Sequence, residues 1–171
     1  MPVSGPNRSC ESNMIEFKAI GIIHTPFVTS EGTPIQPVYA TGACGTVELF
    51  AEYEAGLKDL DGFSHIFLLY HFHRSQGFNL ELVPFMDTQS RGVFATRAPK
   101  RPNAIGLSLV ALGRIEGRVL HIQNVDILDG TPLLDIKPYV PEFDSCTGVR
   151  VGWIEKARKA VMTRRSDDRF T

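Results

Sequence analysis

The sequence predicts a mainly β domain, closed or nearly closed on itself, and three observations carry that expectation. Apolar, β-branched runs of strand length recur at 15–24, 45–50, 63–72, 107–112, 119–128 and 133–140. Turn signals separate them, such as Thr25-Pro26, Glu116-Gly117 and Asp129-Gly130. Only one stretch reads as a clear helix: Trp153, Ala157, Ala160 and Val161 fall at i, i+4, i+7 and i+8, on one face.

The elements follow in order. Residues 15–24 are a strand that Thr25-Pro26 ends, and the two prolines and glycine of 31–37 make a loop. Residues 45–50 are a strand, and 51–57 a short helical turn ending near 59–62. The nearly continuous apolar run 63–72 suits a central strand buried on both faces. Residues 76–90 are irregular, and Gly92 to Ala95 close as the end of a buried strand. Strands follow at 107–112, 119–128 and 133–140, the last broken by Pro138.

The 171 residues, 43% of them apolar, suffice for one domain with one substantial core. Residues 1–14 read as a disordered lead-in without the apolar stretch of a signal peptide, and 15–171 as the domain. A net charge of −1 gives no overall attraction for nucleic acid, so any such binding needs a local patch. Cys10, Cys44 and Cys146 are odd in number and widely spaced, against a disulfide framework or cysteine zinc site and for a reducing compartment. No apolar run approaches the roughly 20 residues of a membrane helix, and the cytoplasm is the default location.

The densest chemistry lies in residues 92–106. Arg97, Lys100 and Arg101 stand in a loop stiffened by Pro99 and Pro102, and residues 104–106 return the chain to an apolar strand. Such a loop holds guanidinium groups against a small anionic or polar partner, although cation clusters are often plain solvated surface. His71 and His73, two apart on the expected central strand, would face one side as metal ligands do. A metal-dependent hydrolase built on them is one alternative. The plainer one is that one histidine packs while the other faces a pocket. Asp126, between Val125 and Ile127, must find donors or face a cavity. Asp135, Lys137 and Tyr139 share a strand face, in structural ion pairs with cross-strand neighbours or as site residues. The basic tail from Lys156 to Arg169 is either phosphate-binding or a solvated face. Neither the dinucleotide nor the P-loop glycine fingerprint is present.

Four segments together resemble the TsaA-like, or TrmO, family of tRNA methyltransferases. They are 20–27, 56–65, the 92–106 loop with its Ala-Thr-Arg and Arg-Pro-Asn-Ala-Ile-Gly, and 126–139 with its Asp-Gly-Thr-Pro and Lys-Pro-Tyr. The resemblance implies a single-sheet, non-Rossmann β-barrel that uses S-adenosylmethionine to methylate N6 of threonylcarbamoyl-adenosine beside the tRNA anticodon. It implies a homodimer with the cofactor near the subunit interface. It places the cofactor against Gln36, Pro37, His73, Arg74, Arg97, Leu109, Asp126, Ile127 and Leu128. Asp129, Lys137 and Tyr139 are the catalytic candidates near the accepting nitrogen, and no metal is implied. Lys100 and Arg101 would meet RNA phosphate or the partner subunit. Some family members carry an extra C-terminal domain, so a binding or regulatory module that keeps the cofactor but has lost methylation is a further alternative.

Overall fold

Among the described residues eight strands form, and in the six that pair around one sheet side chains alternate inward and outward. They are β1 (Gly21–His24), β2 (Cys44–Leu49), β3 (His65–His71), β4 (Glu81–Leu82), β5 (Arg91–Gly92), β6 (Ile105–Glu116), β7 (Val119–Gln123) and β8 (Thr131–Pro138). The computed structural model describes residues 14–29, 40, 42–85 and 87–155. β1-β2-β7-β6-β3-β8 close into one antiparallel barrel, and β4 and β5 pair separately as a small two-stranded sheet. Closure leaves the barrel sheet no free edge.

The interior is filled by one residue in two from each barrel strand. Ile23 stands opposite Val47, Val47 opposite Leu120, Leu112 opposite Ile122 and Ile66 opposite Val110. All are buried, with Leu68 and Leu133 completing the plug. Burying such side chains is worth roughly 1.5–3 kcal/mol each. The short 3-10 segment Ala51–Leu57 follows β2 and buries Leu57, at the position the sequence assigns to a helical turn.

Five expectations change. β1 opens only at Gly21, so residues 15–20 are not strand. β3 is not buried on both faces: it alternates, with Ile66, Leu68 and Tyr70 inside and Phe67 and Leu69 half-exposed outside. A closed antiparallel barrel has one interior, so a continuous apolar run need not mean two covered faces. Of residues 92–95 only Gly92 ends a strand. After the two-residue β5 the rest turn as a 3-10 segment, Val93–Ala95, that buries Val93 against Leu82 and Ala98. β7 stops at Gln123 because Asn124 takes a left-handed φ of 61°, which ends the extended geometry. β6 is twice the expected length, and a register shift between Leu112 and Ile115 bends it around the barrel. A short helix, α1 (Pro141–Asp144), also forms after β8. Of the expected C-terminal helix, Ile154 and Glu155 are helical and residues 156–171 lie outside the described residues, as do 1–13. Among the described residues no helix is long and apolar enough to cross a membrane.

Candidate active site at one end of the barrel

The site begins with a glycine. Tyr70 points into the barrel from β3, and its ring occupies the space where a Cβ on the neighbouring Gly106 would lie, 2.2 Å from Tyr70 Cε2. The pairing with β8 shifts register at this level, Leu69 standing opposite Asp135 and Tyr70 opposite Leu133, so the extra residue, Leu134, lies on β8 while Tyr70 keeps the inward alternation of β3. The Tyr70 hydroxyl lies 3.0 Å from Ser108 Oγ, and Ser108 donates to Asp126 Oδ1 at 2.6 Å. A strand from each side and the β7–β8 loop therefore meet in one buried polar chain.

Burial raises the Asp126 carboxyl to about 6, against the opposing pull of the Ser108 hydrogen bond and the Arg97 charge. The Tyr70 phenol is pushed far above its ordinary value, chiefly by burial and then by the Asp126 charge. Arg97 draws on both groups electrostatically, although its own side chain is exposed.

The loop that carries Arg97 is held from several directions. Thr96 Oγ1 donates to Val93 O at 2.8 Å, and the Arg101 guanidinium donates to the carbonyls of Thr96 and Ala98, each at 3.2 Å. Trp153 Nε1 donates to Ala95 O at 2.8 Å. Arg101 thus braces its own loop through one guanidinium nitrogen.

His73 lies in the turn just past β3, not on the strand beside His71, so the two do not form the expected on-strand pair. Its imidazole Nδ1 is 3.3 Å from Thr131 Oγ1, whose own proton goes to Leu128 O at 2.7 Å. Thr131 has one proton to give, so His73 must donate from Nδ1, which leaves Nε2 as the acceptor of a neutral ring. Burial, with Arg74 and His71 adding to it, lowers the His73 pKa and keeps the ring neutral. Arg74 donates to Val28 O at 2.5 Å. Ser75 Oγ is buried without a partner among the described residues.

The β7–β8 loop is tied back to β1. Thr25 Oγ1 donates to Ile127 O at 2.7 Å, Thr25 N donates to Asp129 Oδ1 at 3.1 Å, and Gly130 N donates to Ile23 O at 3.0 Å. His24 Nδ1 stands 3.6 Å from the same Asp129 oxygen. Gly130 makes this return at a φ of 74°, a conformation that favours glycine.

The fold gathers His73, Arg74, Arg97, Asp126, Ile127, Leu128 and Asp129 at the end of the barrel where β3 runs out and β8 begins. It does not bring Lys137 or Tyr139 there within one chain. Lys137 pairs across from Phe67, six residues along β8 from Thr131, or about 20 Å at strand rise. Its ammonium lies 2.8 Å from Asp135 Oδ2, two residues back on its own strand and not on a cross-strand neighbour. Tyr139 sets its ring edgewise on Phe67, centroids 5.7 Å apart. Leu109 points outward beside Phe67, opposite in sense to Ser108. Gln36 and Pro37 lie outside the described residues. Sequence reasoning missed Tyr70 and Ser108, and the only local signal was a hydroxyl on an otherwise apolar strand. Among the described residues no three His, Cys, Asp or Glu side chains gather as for a metal ion.

A closed antiparallel barrel with a buried carboxylate, cationic loop and neutral histidine at one mouth defines a non-Rossmann barrel with a polar ligand site. The chain belongs to the tRNA-methyltransferase O N-terminal domain family, whose pattern it matches over residues 22–145. A probable S-adenosyl-L-methionine-binding protein of Pyrococcus abyssi is 54% identical over 157 residues, covering 92% of this chain and 85% of the relative. The tRNA (adenine(37)-N6)-methyltransferase of Mus musculus is 38% identical over 142 residues, covering 79% of this chain and 33% of that enzyme. The crystal structure of TrmO from Pseudomonas aeruginosa matches with a TM-score of 0.70 at 39% identity, over 82% of this chain and 62% of the other. The chain therefore spans about a third of the mouse enzyme and under two thirds of the solved TrmO chain.

Proposed function

We propose that this protein is an S-adenosylmethionine-dependent tRNA methyltransferase whose cofactor sits at the barrel mouth beside Asp126, Arg97 and His73. The observation that carries the reading is the buried Tyr70–Ser108–Asp126 chain facing the Arg97 loop in a member of this family. The residues fit the group: a desolvated carboxylate suits its ammonium, Arg97 and Arg74 suit its carboxylate, and the buried, unpartnered Ser75 hydroxyl offers one more polar contact. When bound, S-adenosylmethionine supplies an activated methyl group. The chain's own share is to orient, to exclude water and to take up the proton of the accepting nitrogen.

The finer reading is N6-methylation of threonylcarbamoyl-adenosine next to the anticodon. Its urea-type nitrogen is a poor nucleophile until its proton leaves, and Asp129 and His73 Nε2 are the acceptors assigned to that proton. Lys137 and Tyr139 would join the site only from a second copy. The exposed apolar side chains Phe94, Ile105 and Leu107, on and beside the Arg97 loop, support a homodimer covering this face. Lys100 would then meet RNA phosphate. Mass analysis of nucleosides from threonylcarbamoylated tRNA incubated with protein and cofactor tests the reading, and a gain of one methyl on that base is expected. The names of the archaeal relatives favour a second reading, an S-adenosylmethionine-binding module without methylation. The same incubation with intact cofactor binding but no methyl transfer would select it.

A further inference from the structure

We propose that Ser108 and Tyr70 are positioning residues that hold the Asp126 carboxylate in one orientation through a directed hydrogen-bond chain across β3, β6 and the β7–β8 loop. The proposal rests on the reading that Asp126 faces the cofactor ammonium, and it concerns side chains to which no ligand contact has been assigned.

The direction of the chain follows from proton counting. An ionised carboxylate only accepts, so the single Ser108 proton is committed to Asp126 Oδ1 at 2.6 Å. Ser108 Oγ must then accept from Tyr70, whose hydroxyl is 3.0 Å away. Ser108 is 1% exposed and Tyr70 is 5% exposed, so no bulk water competes for either bond. The Tyr70 ring packs flat into space that Gly106 leaves open, where any Cβ would collide with it. A second edge contact comes from Phe72, with centroids 5.4 Å apart. The chain is thus anchored at its far end by packing and delivers that rigidity to the carboxylate. A bond to Oδ1 fixes rotation about Cβ–Cγ, which sets where Oδ2 points.

The same chain keeps the carboxylate charged. The groups that act on Asp126 are Ser108 from β6, Tyr70 from β3, Arg97 from the loop after β5, and its own backbone N–H. Burial opposes ionisation, while the Ser108 donor and Arg97 favour it, which leaves the group titrating at about 6. Once Asp126 takes a proton, the carboxyl presents no full charge to a cation. Asp126 therefore loses its charged state as pH falls through its folded value, and Ser108 sets how low that value lies.

The test reads the carboxylate directly. The 13Cγ resonance of Asp126, assigned by its loss in Asp126→Asn, is titrated in the wild-type protein, Ser108→Ala and Tyr70→Phe. Removing the Ser108 donor should raise the midpoint by about one pH unit. Tyr70→Phe, which leaves Ser108 its proton for Asp126, should raise it by less. S-adenosylmethionine affinity is measured by calorimetry at pH 6.5 and 8.5 on the same proteins. The ratio of the two affinities should grow about threefold in Ser108→Ala, since a midpoint near 7 leaves roughly a quarter of the carboxylate ionised at pH 6.5. A merely structural role would weaken binding equally at both pH values. Midpoints unchanged in both variants overturn the proposal. A moved midpoint with an unchanged affinity ratio overturns the cofactor reading instead, and the functional part of the proposal with it.

Discussion

The two ends of this barrel are built from the same strands and treat charge in opposite ways. Where β3 runs out, Tyr70, Ser108 and Asp126 form a buried chain, His73 is held neutral and Arg97 is carried on a braced loop. Where β8 runs out, Lys137 and Asp135 pair in the open, with 63% and 44% of their side chains exposed. Water screens the second arrangement, so it contributes little, roughly 0–1 kcal/mol. The first excludes water, so each polar group there either has a partner or costs stability. The difference teaches where to look for chemistry. A buried, costly carboxylate needs a reason to persist, whereas an exposed ion pair needs none.

The largest contrast should come from truncating one carboxylate at each end. Asp126→Ala is expected to weaken S-adenosylmethionine binding about 100-fold, the scale of removing one partner of a buried charge pair. Asp135→Ala should leave calorimetric affinity within about twofold. Equal losses from the two would erase the distinction.

Stability should separate the ends in the reverse sense. The Asp126 carboxyl titrates at about 6 when folded against an ordinary 3.8, so its contribution is most favourable below pH ~4 and is lost as pH rises through 6. The cost of keeping it charged approaches roughly 3 kcal/mol at pH 8. Asp126→Asn should accordingly be near neutral at pH 4 and more stable than wild type by up to about 3 kcal/mol at pH 8, read from urea denaturation at the two pH values. A loss of stability at pH 8 would mean that the buried charge is already compensated.

Gly106→Ala should destabilise by about 1–3 kcal/mol, because the Tyr70 ring must shift out of the space the new methyl takes. Gly62→Ala, where a Cβ meets nothing within 4 Å, should change thermal stability by no more than a few tenths of a kcal/mol. If both are equally mild, the packing that anchors the polar chain is looser than drawn.

Arg97→Ala should reduce cofactor affinity about tenfold, whereas Lys100→Ala should spare it and flatten the salt dependence of tRNA binding by about one counterion. The smallest effect belongs to Lys137→Ala, worth under about 1 kcal/mol of stability. Its turnover is more telling. A drop of 100-fold or more in methyl transfer by the intact protein would bring Lys137 into the reacting site from a second copy.

Much of the architecture was legible in the chain. Strand positions follow from apolar alternation, a local property, and the turns at Gly117 and Gly130 follow from residues that tolerate positive φ. The cationic loop at 97–101 was visible as a cluster, as was the awkwardness of a carboxylate between Val125 and Ile127. The sequence alone could not show that Arg101 turns back to bind its own loop, nor that Asn124 ends β7 before Asp126.

What only the tertiary structure decided depends on register. Tyr70 and Ser108 are 38 residues apart and Ser108 and Asp126 are 18 apart, yet pairing of β3 with β6 places them in one chain. The extended run of β8 along β3 carries Lys137 and Tyr139 away from Asp129, although all three lie close in sequence. A strand's own residues determine which side chains share a face. Only its hydrogen-bonded neighbours determine at which level of the barrel those side chains meet, because a shift in pairing changes every cross-strand partner while leaving the sequence pattern untouched.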